Sequence, residues 1–118
     1  MVYCAGSLSL AVLECFVHVV AADLPDDLIA IRAELPDDAT TRLTVASLPK
    51  NWRNLPGPAA LQELGDEWVR GGATAGLLVP SAVVPTEWNI LLNPGHPDMP
   101  KLKRLSAEPF QFDARMGH

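Results

Sequence analysis

The sequence predicts an α+β domain in which a curved, mostly antiparallel sheet carries at least two helices. Three observations lead there. Apolar residues spaced three and four apart in "LSLAVLECFVHVV" mark a helix, and the strict alternation of "DLIAIRAEL" marks a strand. Two later apolar runs, "ATAGLLVPSAVV" and "EWNILL", are bounded by Gly and Pro and short enough to be strands. Finally, 118 residues with 48% hydrophobic and 19% charged content suffice for one core, and no linker divides residues 1 to 118.

Taken in order, "MVYCA" reads as a short apolar strand. Ser7 or Ser9 then caps a helix with an apolar stripe of Leu10, Leu13, Val17 and Val20, closed by Asp23 and Pro25. In residues 27 to 35, Leu28, Ala30, Arg32 and Glu34 share one strand face and Ile29, Ile31, Ala33 and Leu35 the other. The "LPDD" runs at Leu24 and Leu35 read as the turns on either side. A second strand is expected from Arg42 to Val45, followed by the irregular "SLPKNWRNLPGP", anchored by Trp52. Gly57 and Pro58 open a second helix. Its inward stripe is Leu61, Leu64, Trp68 and Val69, its solvated face holds Glu63, Asp66 and Glu67, and Gly71 and Gly72 end it. The two apolar strands follow, separated by Pro85 and Thr86. Residues 101 to 113 supply a last pair of short strands around "KLKRL" and "FQF".

Composition removes several functions. A net charge of -5 leaves no broad cationic surface for phosphate backbones, and Lys101, Lys103 and Arg104 form only a small basic cluster, so nucleic acid is not expected as a direct ligand. The apolar run Ala5 to Ala22 is interrupted by Glu14 and His18, which argues for a soluble helix and no membrane partner. With no Lys or Arg before Arg32, a charged signal-peptide region is missing and the cytoplasm is the expected location. Cys4 and Cys15 have no metal-ligand spacing and are expected to be buried structural thiols; no metal site is expected, and His96, beside Pro94 and Gly95, reads as turn chemistry. There is no G-x-G-x-x-G or Walker run.

Glu14 is the first residue that suggests chemistry, because a carboxylate on an apolar helical face is costly to bury and tends to be paired or functional. The alternative is a surface pair with His18, four residues on. Ser81 ends an apolar strand ahead of a proline-punctuated loop, where its hydroxyl either caps local backbone or faces a ligand. It lacks the G-x-S-x-G elbow of hydrolases. Asn89 and Asn93 are equally open to turn or ligand roles.

Read together, "VYCAGSLSLAVLECFVH", "LPDDL", "LPKNWR", "LGDEWV", "LLVPSAVVPTEWNILLNPGHPD" and "EPFQFDAR" resemble, in order and over the whole chain, the RES domain family of toxin–antitoxin pairs. The resemblance implies a fold similar to ADP-ribosyltransferase toxins and the degradation of NAD+ by hydrolysis or phosphorolysis at the nicotinamide–ribose bond. NAD+ is then a substrate, phosphate an optional co-substrate, and no cofactor is needed. It puts the family's catalytic glutamate on Glu14 and its serine on Ser81, and implies substrate contacts at Tyr3, Ser7 and Asn89. Ser81 would hold the nicotinamide ribose or a phosphate oxygen, and Tyr3 would offer a stacking face. The implied partner is an Xre-like antitoxin.

The family's arginine belongs ahead of the first strand, and Arg32, Arg42 and Arg53 do not occupy its position. The chain is therefore expected to be N-terminally short for the family, to cleave NAD+ weakly or not at all, and to offer a sheet edge for homo-oligomer formation. A catalytically inert domain that only binds its antitoxin, and a transferase that modifies protein with ADP-ribose, remain alternatives.

Overall fold

The structure is a computed structural model that describes residues 1–17, 25–54 and 59–117. His18, Val20, Asp23, Gly57 and Pro58, on which the helix-end, helix-start and Glu14–His18 expectations rest, lie outside the described residues.

The chain runs β1 (Val2–Ala5), α1 (Leu8–Phe16), β2 (Leu28–Glu34), β3 (Thr40–Arg42), α2 (Ala59–Gly71), β4 (Gly76–Pro80), β5 (Trp88–Leu92) and β6 (Lys103–Phe110), with short 3-10 turns between. This is the α+β class expected, but the strands are shared between two sheets. One has the order β1-β5-β4-β3, with only the β3–β4 pair parallel; β2 and β6 form a separate antiparallel ribbon.

Three strand boundaries differ from expectation. The second strand is Thr40–Arg42, because Val45–Ser47 coils into a 3-10 turn in which Ser47 Oγ donates to Thr44 O at 2.7 Å. The "ATAGLLVPSAVV" strand ends at Pro80, since the Ser81 hydroxyl accepts from the Val83 and Val84 N–H groups, both at 3.1 Å, and turns the chain. The expected last pair of strands is one continuous strand, β6, because β2 offers it a partner along its whole length, with a single irregularity between Arg32 and Ala33.

Facing residues in paired strands lie on the same side of a sheet, so the registers Tyr3↔Leu91, Ala5↔Asn89, Leu77↔Leu91 and Val79↔Asn89 define one face. Leu61 and Leu64 of α2 lie over that face, as their stripe predicts. Cys4, Leu78 and Ile90 point the other way, toward Ile31 and Ala33 of the ribbon. Buried side chains concentrate in the four-stranded sheet and its helices: Leu10, Leu77, Leu92, Trp68, Ala39 and Ala75.

A small polar knot fastens α2 to the sheet. The Trp68 indole N–H donates to Thr74 Oγ1 at 3.1 Å, Thr41 Oγ1 meets the same oxygen at 2.7 Å, and Thr74 passes its own proton to Gly76 O at 2.9 Å. Gly72, with φ +61, ends α2 in the left-handed conformation that glycine adopts without a Cβ penalty. Among the described residues no helix is long and apolar enough to cross a membrane.

Candidate functional site

The site begins with a helix cap. Ser7, in extended backbone (φ -146, ψ 159), accepts a hydrogen bond from the Leu10 N–H at 3.1 Å and starts α1 at Leu8; of the two candidate caps, Ser7 is used. Just before it, the Gly6 N–H donates to Trp88 O at 2.8 Å, continuing the β1–β5 ladder to the helix start. The position of α1 relative to β5 is thus set by backbone bonds, and Glu14 follows from it.

Opposite, the β4–β5 connection is closed by the Ser81 N–H donating to Glu87 O at 2.9 Å and the Glu87 N–H to Val84 O at 2.9 Å. Inside this loop Ser81 has no exposed surface. Its oxygen accepts the two backbone bonds described above, and its proton goes to Glu14 Oε1 at 2.6 Å. Asn89 Nδ2 donates to the same oxygen at 2.8 Å. Glu14 is half-buried, so two donors from residues 67 and 75 positions away converge on one carboxylate oxygen. Short O–H···O⁻ and N–H···O⁻ bonds of this kind hold a carboxylate more firmly than neutral pairs do.

The direction of the Asn89 amide follows from the charge beside it, since its oxygen would repel the carboxylate. That leaves Asn89 Oδ1 buried and without a partner among the described residues.

Glu14 opens onto a hollow of about 480 Å³ lined also by Tyr3, Ala11, Cys15 and Asn89. Tyr3 is 75% exposed at its mouth. A second hollow, about 400 Å³, lies on the α2 side and shares Tyr3 and Asn89 with the first. The largest of these three, about 620 Å³, is on the ribbon side of the sheet and is lined by none of Glu14, Ser81 and Asn89. We place the site by its hydrogen-bonded carboxylate and not by cavity size, because only charge and donors can do chemistry.

Of the expected site residues, the structure brings Glu14, Ser81 and Asn89 into hydrogen-bond contact and sets Tyr3 in the same hollow. Ser7 stands apart as the cap of α1, with its hydroxyl 3.4 Å from Glu87 Oε1. Cys4 is exposed, contrary to the buried thiol expected, because it lies on β1, a strand with a single partner; its neighbours nonetheless push its thiol pKa up by desolvation. His96 accepts the Asp98 N–H at Nδ1 (2.9 Å), so Nε2 carries the proton and donates to Gly72 O at 2.9 Å. Sequence reasoning missed the bond from Arg53 Nε to Ala82 O at 2.9 Å, which no local spacing signals.

The model of the RES domain matches residues 1–113. The chain is 38% identical over 116 residues to "Toxin Res" of Yersinia enterocolitica, covering 98% of this chain and 76% of that protein. It is 40% identical over 120 residues to "Toxin Res" of Photorhabdus laumondii, covering 98% and 74%. To the "Prs ADP-ribosylating toxin" of a Sphingobium species it is 37% identical over 119 residues, again covering 98% and 74%. With a family match over residues 1–113 and relatives aligned over 98% of its length, the chain belongs to the RES domain family.

Proposed function

We propose that this protein is a toxin that cleaves NAD+ at the nicotinamide–ribose bond, with Glu14 as the catalytic carboxylate. The observation that carries the reading is the convergence of Ser81 Oγ and Asn89 Nδ2 on Glu14 Oε1, at 2.6 and 2.8 Å. Both donors use one oxygen, and among the described residues Oε2 has no donor, so it is available to a ligand in the hollow that Glu14 lines. A fixed anion there stabilises the positive charge that develops on the ribosyl carbon, and can accept hydrogen bonds from the ribose hydroxyls.

In the reaction the C1′–N bond breaks and its electron pair stays with the ring nitrogen, so cationic nicotinamide leaves as a neutral molecule. No general acid is needed at the leaving group. The new C1′–O bond comes from water, which releases one proton to solvent, or from an anionic oxygen of inorganic phosphate, which needs to release none. Tyr3 offers a ring face at the mouth of the hollow. Ser81, fully buried, acts through Glu14 as a positioning residue; Asn89 shares that task. Partnership with an Xre-like antitoxin belongs to the same reading.

The test is product analysis by NMR after incubating the protein with NAD+, with and without phosphate. Free nicotinamide together with ADP-ribose, or with a phosphorylated ADP-ribose, is expected, and Glu14→Gln should lower its release by on the order of 10²-fold or more. No nicotinamide from the parent protein, or an unchanged rate in E14Q, would overturn the proposal. A second reading, transfer of ADP-ribose to a protein, is favoured by the name of the Sphingobium relative. It requires an acceptor protein whose mass grows by one ADP-ribose.

A further inference from the structure

We infer that Arg53 binds the pyrophosphate of the dinucleotide and that the hollow beside Trp52 receives its adenosine half; this rests on the NAD+ reading above. The two hollows on the α2 face of the sheet meet at Tyr3 and Asn89. One holds Glu14. The other, about 400 Å³, is walled mainly by apolar and aromatic side chains, Trp52, Leu61, Val79, Ala82 and Leu91 among them, with Asp66 also in its lining. A chamber that holds the hydrogen-bonded Glu14 carboxylate, joined to one with a mainly apolar and aromatic wall, suits a ligand with a ribosyl cation at one end and a flat base at the other.

Between the two halves such a ligand carries two negative charges, and the protein itself is net negative at -5. A local cation is therefore required. Arg53 follows Trp52 in sequence, and its Nε–H bond to Ala82 O fastens it to a residue of the second hollow and to the neighbour of Ser81. That bond orients the planar guanidinium and uses one of its five N–H groups. Among the described residues Arg53 makes no ion pair, while Arg115 is paired with Asp113 and Arg42 lies 4.8 Å over the Trp88 ring on the other side of the sheet. The exposed Nη groups form a fork of the width that phosphate oxygens accept.

The test uses ADP, which has the pyrophosphate and the base but no nicotinamide, in calorimetric titrations of the parent protein, Arg53→Gln and Arg53→Lys. ADP binding about tenfold weaker in R53Q, with part of the loss restored in R53K, is expected. In steady-state assays R53Q should raise KM for NAD+ about tenfold and leave kcat within about twofold, and should cleave nicotinamide riboside, which has no phosphate, as fast as the parent. Equal ADP affinity in parent and R53Q, or no ADP binding by the parent, overturns the inference. So does an equal fall in kcat on both substrates, which would make Arg53 only a brace for the Ser81 loop. If the parent binds ADP through Arg53 but releases no nicotinamide, the subsite stands and the cleavage reading falls. If it releases nicotinamide and R53Q is unaffected, the subsite alone falls.

Discussion

Ser81 and Asn89 hold the same oxygen of Glu14, yet removing each should have a different consequence. Ser81→Ala deletes a charge-assisted bond and strands the Val83 and Val84 N–H groups, a loss of about 2–3 kcal/mol. Asn89→Leu also deletes a bond to the carboxylate, but it removes the buried, unpartnered Oδ1 at the same time. Those two effects are each about 1–3 kcal/mol and oppose one another. We therefore expect S81A to lower both unfolding free energy and activity, and N89L to lose comparable activity with an unfolding free energy within about 1 kcal/mol of the parent, as denaturant titration measures. Equal destabilisation by the two variants would contradict this account. At Cys4, exposed but partly desolvated by its neighbours, the thiol pKa is raised, so the reactive thiolate is scarce at neutral pH and grows only as pH rises past the ordinary thiol range. Iodoacetamide should accordingly modify Cys4 more slowly than free cysteine at pH 7.5, with the rate still climbing above pH 9, as peptide mass mapping can follow. None of this was legible locally. Glu14 attracted notice as a charge on an apolar stripe, but bonds spanning 67 and 75 residues obey no spacing rule, and family resemblance alone joined the three positions.

Elements that local physics governs were the readable ones. The α2 stripe of Leu61, Leu64, Trp68 and Val69 is the turned-in face, Glu63, Asp66 and Glu67 are exposed, and β2 alternates until its bulge. What failed was partnership. Nothing in "KLKRLSAEPFQF" says that β2 will accompany it as one strand, and nothing in "VPSAVV" says that a hydroxyl will take two N–H groups and stop β4. The cap of α1 offers a test at this scale. Ser7→Ala should cost about 1 kcal/mol, seen as a fall of a few degrees in Tm. Because the cap sets the start of the helix that presents Glu14, activity measured well below Tm should fall as well. A Ser7→Thr variant, which can still cap and still donate to Glu87 Oε1, should retain Tm.

Across the whole molecule, stability is distributed unevenly. Leu10 and Leu77, 1% and 2% exposed, sit in the four-stranded unit, while Ile29 and Ile31 of the ribbon are 64% and 57% exposed. Leu77→Ala should cost about 2–5 kcal/mol, whereas Ile31→Thr should stay within about 0.5 kcal/mol. A two-stranded ribbon is only marginally stable alone, so amides of β2 and β6 should exchange with deuterium well before those of β4 and β5. Ribbon amides as protected as those of β4 would show that the two sheets open together. The same long reach that hides the site from pattern reading also times its birth. Glu14 leaves the ribosome early, but the hydroxyl and amide that aim it are translated some seventy positions later. During that interval the nascent polypeptide carries an acidic group with nothing to point it, so the cleavage proposed above has to wait until the late strand has been made.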